Sequence, residues 1–448
     1  MPDTEAAYNR ALDYLYSFVD YSLKHSSELA KADFNLDRMR ALMGELGNPQ
    51  DAYRIVHVAG TKGKGSVCAL TASGLRAAGY RTGLYTSPHL VDYCERIQVD
   101  GVPIAHARLV ELVEAVKPAV GRIPKLTTFE ITTALAFLYF AGEKAETAVV
   151  EVGLGGRLDA TNVVTPAVAA ITSLSYDHMA VLGDTLGKIA TEKAGIIKIG
   201  IPVVSAPQKE EALQVLQQIA AERGASFTLV GRDVKFKPIQ HSLDGQSLRV
   251  TWRQETLSLD IPLLGAHQVQ NAAVAATALW ILRGSGLEIR NADIQAGFAQ
   301  VQWPARFEVV RREPPVILDS AHNQDSFSRL HQALDDYFPR KRIYLIFGAS
   351  EDKNIPGMFK EIKPRVRKVF ITKADHPRAL EPELIGQLAD KAGLPYEIVV
   401  PVKAAAERAL ELSEKDGSIV VSAGSMFVTA EVMAMWQAQE PREARTQA

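Results

Sequence analysis

At 448 residues the chain is long enough for roughly two to three domains, each with its own core. A hydrophobic share of 47% and a charged share of 23% are ordinary for globular material, and a net charge of −2 gives no basic footprint for nucleic acid. Two cysteines exclude a disulfide scaffold, and without a basic, apolar leader after Met1 or a membrane-length stretch, the protein is expected to be cytoplasmic and soluble.

In chain order, Thr4 to His25 and Leu36 to Leu46 are predicted as helices, separated by Ala32-Asp33-Phe34-Asn35. Tyr53 to Val58 has the β-branched content of a buried strand, and Val67 to Ala78 has helical periodicity. Between them, Gly60-Thr61-Lys62-Gly63-Lys64-Gly65-Ser66 reads as a phosphate cradle, with backbone N–H groups aimed at an anion. Lys64 would neutralise the outer phosphates and Ser66 could ligate the accompanying Mg²⁺, although its hydroxyl stands one residue later than in the general P-loop pattern. An ordinary glycine-rich turn would share these glycines; strand, lysine, hydroxyl and helix in this order favour the cradle.

A strand at Thr82 to Thr86 gives the β-turn-α-β rhythm of a parallel sheet. The loop Ser87-Pro88-His89-Leu90 suits the carboxyl edge of that sheet, where substrates bind, but on spacing alone a plain connecting loop fits equally. Thr127 to Ala141 is predicted as a helix, and Thr147 to Gly153 as a buried strand whose one carboxylate, Glu151, needs a cation or a metal. Leu154 to Asn162 lacks GxGxxG spacing, which excludes a dinucleotide reading. Ala167 to Leu174 is a strand running into Ser175-Tyr176-Asp177-His178. His178 alone reads as a structural residue, and its place at a strand end shifts it toward a ligand.

Glu192-Lys193-Ala194-Gly195 interrupts an amphipathic helix, where a lysine ordinarily belongs to a solvated face. Phe227 to Asp260 reads as antiparallel hairpins appended to the main sheet. A boundary near Gly297 to Pro304 divides a first domain, 1–299, from a second α/β domain, 300–437, followed by a tail, 438–448, expected to be disordered. Asp319-Ser320-Ala321-His322-Asn323 falls at the carboxyl end of the second domain's first strand; a capped helix start would explain it equally well.

These motifs together resemble folylpolyglutamate synthases and bifunctional dihydrofolate synthases, members of the Mur-type ATP-dependent peptide ligases. The resemblance covers nearly the whole chain and rests on His57 to Ser66, Thr86 to Leu90, Glu95-Arg96-Ile97, Phe129-Glu130, Glu151 to Asn162, Asp177-His178, Glu192 to Ile197, Asn271, Pro304-Ala305-Arg306-Phe307 and Asp319 to Asn323. The family's loop usually has Asn where this chain has Lys62, while the late hydroxyl at Ser66 is the family's own pattern.

The resemblance implies a P-loop-containing parallel-sheet N-terminal domain with small antiparallel additions and a second Rossmann-like α/β domain. It implies ligation of L-glutamate to a folate or dihydropteroate carboxylate through an acyl phosphate, with ATP as substrate and Mg²⁺ as cofactor. Residues implied at ATP are Gly60, Thr61, Lys62, Gly63, Lys64, Gly65, Ser66, Asn271, Arg306 and Asp319; those at the metal are Ser66, Glu151, His178 and Lys193. Asp33, Phe34, Asn35, Pro88, Phe129 and Asp159 are implied at the pterin substrate, and His322 and Ser425 at glutamate. Lys64, Lys193 and His322 are implied in catalysis, Lys193 as a carbamate. The family also implies a monomer. Two other readings are a cell-wall Mur ligase, for which the short N-terminal start leaves no uridine-nucleotide domain, and a non-catalytic nucleotide switch, which leaves Asp319 and His322 unexplained.

Overall fold

The computed structural model describes residues 2–20 and 34–439. Two compact units are formed: one from the segments up to Gln240, Ser247–Pro262 and Gln268–Val301, the other from His241–Gln246, Leu263–His267 and Gln302 onward. The crossover thus lies between Val301 and Gln302, and two short segments earlier in the chain cluster with the second unit.

The first unit is built on eight strands in the order β4-β3-β2-β5-β1-β6-β7-β8. They are β1 (Arg54–Ala59), β2 (Thr82–Tyr85), β3 (Ile97–Val99), β4 (Val102–Pro103), β5 (Thr147–Glu151), β6 (Val168–Ile171), β7 (Val203–Ser205) and β8 (Phe227–Leu229). β2, β5, β1, β6, β7 and β8 run parallel, while β3 and β4 turn back antiparallel at one edge. β1 and β5 are near-continuous runs of buried residues, as central parallel strands covered on both faces require. Registers of Val58 with Glu151 and of Ala59 with Ile171 bring three loops out at one carboxyl edge. This edge carries the candidate site.

One core lies under the helices His106–Val120 and Thr128–Gly142, with Tyr85, Phe137 and Phe140 buried in it; a second joins Ile171 and Val203 to Leu186 and Leu216. Thr127 and Glu130 close a capping box at the start of Thr128–Gly142. The N-terminal helix spans Pro2–Tyr16, shorter than the periodicity predicts, and residues 21–33, including Asp33, lie outside the described residues.

β9 (Val234–Ser242), β10 (Gly245–Trp252) and β11 (Glu255–Ile261) form a sheet of their own, ordered β11-β10-β9. They are therefore not an extension of the main sheet: β8 is its last strand, and the chain leaves it through a turn at Gly231 with φ +95°.

The second unit has six strands ordered β12-β13-β17-β14-β15-β16: β12 (Glu308–Arg312), β13 (Pro315–Leu318), β14 (Ile343–Phe347), β15 (Val366–Ile371), β16 (Tyr396–Ile398) and β17 (Ile419–Ala423). All pair in parallel except β12, which is antiparallel to β13. Its core gathers Phe327, Phe347, Phe359 and Ile385. The last helix runs Met426–Gln439, reaching into the segment expected to be disordered; 440–448 lie outside the described residues. Among the described residues no helix is long and apolar enough to cross a membrane.

Candidate active site

The loop between β1 and the helix Lys64–Ala77 is a close-approach turn that only glycine permits. Gly60 has φ +149° and Gly63 has φ +90°. A Cβ on Gly60 would lie 1.8 Å from Thr172 Oγ1, and one on Gly63 would lie 2.4 Å from Asn271 Oδ1. Asn271, from the helix Ala266–Gly284, is thereby brought against the loop; it is buried and donates from Nδ2 to Gln268 Oε1 at 2.9 Å. Thr61 and Lys62 donate their backbone N–H groups to Ser173 O at 3.0 and 3.2 Å, fastening the loop to the segment after β6.

At the same edge Glu151 ends β5 with its carboxylate buried. Its Oε2 accepts from Ser87 N at 3.2 Å, and Lys64 Nζ stands 3.9 Å from Oε1, a charge pairing too long for a hydrogen bond. Ser66 is buried in the first turn of the helix. Lys62 donates to Asp177 Oδ2 at 3.0 Å, both side chains largely buried, so the charge that this chain adds to the loop is compensated. That pair also draws in His178, which takes a left-handed conformation at φ 49° and whose side chain is 44% exposed.

Lys193 departs from the solvated face that its helix position suggests. The helix Leu186–Ala194 runs through it, its side chain is buried, and Nζ donates to Gly60 O at 2.9 Å. Burial, helped by the charges of Lys64 and Lys62, lowers its pKa to about 7. A substantial share of this amine is neutral at neutral pH.

A second cluster lies beside the first. The ring of Phe129 covers Gly153, where a Cβ would come within 2.5 Å of Phe129 Cζ. The next residue, Leu154, donates its N–H to Asp159 Oδ2 at 2.8 Å, and Asp159 is buried with its carboxyl pKa pushed up by burial. Pro88 is exposed in the loop after β2. Phe34 and Asn35 lead into the helix Asp37–Glu45, with Asn35 Oδ1 accepting from Asp37 N at 3.1 Å. Arg38 on that helix donates to Glu130 at 3.2 Å, so the start of the helix is tied to the residue beside Phe129.

In the second unit Asp319 follows β13. It accepts from Ala321 N at 2.7 Å and Phe307 N at 2.8 Å, and burial pushes its pKa up to about 6 against those donors and Arg306. Arg306 donates to Ser320 Oγ at 2.7 Å. His322 Nδ1–H donates to Ser320 O at 2.8 Å, which makes Nε2 the acceptor nitrogen of the neutral ring. Gly424 N donates to Ala321 O at 2.7 Å, joining the loops that carry His322 and Ser425.

Ser425 lines a small pocket with Ser350, Thr372, Lys373 and His376, at the carboxyl ends of β14, β15 and β17. Phe427 stacks on His376 with ring centroids 3.8 Å apart. Lys373 and His376 were not singled out from sequence. The signal was available: Thr372-Lys373 follows a strand, and the strand-end rule that picked out Asp319 applies there equally.

The fold and these sites define a Mur-type ligase. The Mur ligase middle domain matches residues 58–279, and the Mur ligase glutamate ligase domain matches residues 305–426. The chain is 40% identical over 352 residues to a dihydrofolate synthase/folylpolyglutamate synthase of Bacillus subtilis, covering 77% of this chain and 82% of that one. It is 36% identical over 384 residues to the folylpolyglutamate synthase of Lacticaseibacillus casei, with 83% and 87% covered. A Mycobacterium tuberculosis folylpolyglutamate synthase complexed with ADP superposes with a TM-score of 0.89 at 31% identity, covering 97% and 99% of the two chains. An FPGS-AMPPCP-folate complex gives 0.81 at 31% identity, covering 96% and 99%. The chain belongs to the folylpolyglutamate synthase family of Mur ligases.

Proposed function

We propose that this protein joins L-glutamate to the carboxylate of a folate, and also of dihydropteroate, using ATP and releasing ADP and phosphate. The observation that carries the reading is the likeness of nearly the entire chain to the FPGS-AMPPCP-folate complex. The substrate carboxylate attacks the γ-phosphorus, ADP leaves, and the glutamate amine displaces phosphate from the resulting acyl phosphate. Such transfer depends on positioning and charge neutralisation.

The backbone of Gly63 to Ser66 and the Lys64 ammonium hold the nucleotide phosphates, the N–H groups of Thr61 and Lys62 being taken up by Ser173 O, and Asn271, Arg306 and Asp319 hold the rest of the nucleotide. Lys62 stays with Asp177, so the loop's net charge toward phosphate comes from Lys64. Ser66, Glu151 and His178 would offer magnesium a hydroxyl, a buried carboxylate and an imidazole, the two oxygen donors being those that suit a hard cation. Bound there, the ion supplies positive charge to the phosphate oxygens. Lys193, buried with an amine of lowered pKa, is suited to react with CO₂. The carbamate is an anion where an ammonium would repel the metal.

Phe129 and Asp159, with Pro88 and the segment Asp33 to Asn35, seat the pterin ring. Ser425 and His322 meet the incoming glutamate, and His322 Nε2 takes the proton that its attacking amine must lose. Lys373 lines the same pocket as Ser425, with its ammonium held by Glu381 Oε1 at 2.6 Å.

The test is to incubate the purified protein with ATP, magnesium, glutamate and either a reduced folate or dihydropteroate, and to analyse the products by mass spectrometry. A glutamyl conjugate with ADP is expected from both. AMP in place of ADP would overturn the acyl-phosphate route; turnover with a folate but none with dihydropteroate would remove the second activity.

A further inference from the structure

His57 sits in the middle of β1, fully buried in a strand whose other inward residues are aliphatic. A histidine there costs free energy unless its ring atoms are used. Its Nε2 lies 2.8 Å from Thr161 Oγ1, and the Thr161 hydroxyl lies 2.5 Å from Asp159 Oδ1. An ionised carboxylate only accepts, so the Thr161 hydroxyl donates to Asp159 and its oxygen accepts from His57 Nε2–H. The ring is then the Nε2–H tautomer, and Nδ1, which has no partner, carries a lone pair rather than a stranded N–H. Burial, with the charge of Lys198 behind it, keeps the ring neutral.

The carboxylate at the end of this chain is held on both oxygens. Oδ1 also accepts from Thr161 N at 3.0 Å, and Oδ2 accepts from Leu154 N at 2.8 Å. The backbone donors are fixed by the fold, but a threonine hydroxyl rotates. His57 is the group that decides where it points.

We propose that His57 is a positioning residue for pterin recognition: it locks the Thr161 hydroxyl onto Asp159 and so presents that carboxylate, ionised and in one orientation, to the N–H donors of the pterin ring. This rests on the reading of Asp159 as the pterin carboxylate. His57 itself, with 0% exposure, does not meet the substrate. The chain His57-Thr161-Asp159 links the strand that leads into the phosphate loop with the pterin seat.

The test uses the full-length protein in four variants, His57→Leu, His57→Gln, Thr161→Val and Asp159→Asn, with KM measured separately for pterin substrate, ATP and glutamate. His57→Leu and Thr161→Val are each expected to raise the pterin KM about 10-fold, as for one lost hydrogen bond to a charged group, with the ATP and glutamate values within about twofold. His57→Gln, whose amide N–H reaches the former Nε2 position, is expected to recover most of the loss, and the double variant His57→Leu/Thr161→Val to be no worse than the worse single one. Should His57→Leu fail to fold, Thr161→Val reads the same effect. Equal rises in all three KM values, or additive losses in the double variant, would overturn the positioning role. An unchanged pterin KM in Asp159→Asn would instead overturn the assignment of Asp159.

Discussion

Lys193 Nζ donates to the carbonyl oxygen of Gly60 at 2.9 Å, so the helix Leu186–Ala194 is pinned to the first residue of the phosphate loop by a buried amine. An amine whose pKa lies at about 7 reacts with CO₂ far more readily than an ordinary lysine. Lys193→Ala is expected to lower kcat about 100-fold or more while leaving the KM for ATP within a few-fold, because the loss falls on the transition state. Acetate restores part of the rate by supplying a carboxylate. Labelled carbon dioxide should appear as a carbamate resonance in the native protein; an unmodified Lys193 together with near-normal turnover in Lys193→Ala would refute this.

The phosphate loop gives a prediction about backbone geometry. Gly63→Ala forces φ +90° on an alanine and drives its Cβ toward the buried Asn271 amide. The strain costs about 1 to 3 kcal/mol, and relief by displacing Asn271 would spoil the nucleotide seat. Calorimetry with a non-hydrolysable ATP analogue should show binding weakened at least tenfold. Unaltered affinity would mean that Asn271 takes no part in the nucleotide seat.

How far the site could be read from the chain depended on whether a residue's neighbours are sequential. The places of Gly60 to Ser66, Glu151 and Asp319 at the ends of strands were legible because strand ends and the turns after them are local patterns. Helix position alone puts Lys193 on a solvated face, since a single helix does not reveal which face another loop will cover. The approach of Asn271 to Gly63 and the pairing of Lys62 with Asp177 are tertiary facts between distant segments. The separate sheet of β9, β10 and β11 was visible as hairpins, but not as detached from the main sheet, because strand pattern is silent about edge partners.

Arg38 and Glu130 form a largely buried pair at 3.2 Å, with side chains 13% and 6% exposed, joining the helix after Asn35 to the cap beside Phe129. Arg38→Ala leaves Glu130 uncompensated and is expected to destabilise the protein by about 3 kcal/mol. The folate KM should rise and the ATP KM should not. Thermal unfolding and paired kinetics check both halves; an unchanged folate KM would separate this pair from the pterin seat.

Stability should also report His57. Its pKa is lowered from 6.5 to about 3 by burial, so as the pH falls the unfolded chain takes up the proton first. The contribution of the neutral ring is whole above pH 6.5 and is lost as the pH falls toward about 3, amounting to about 5 kcal/mol at most. Wild-type Tm should therefore drop more steeply between these limits than the Tm of His57→Gln. Parallel curves would show that His57 does not titrate on unfolding.

The central claim is that a folate or pteroate carboxylate is activated by phosphoryl transfer before glutamate arrives. It is tested most directly by turnover with substrate carrying heavy oxygen in that carboxylate, followed by mass analysis of the phosphate released. The account predicts one labelled oxygen in each phosphate, formed only when ATP, glutamate and the pterin substrate are all present. Unlabelled phosphate, or ADP release indifferent to the pterin substrate, would contradict it.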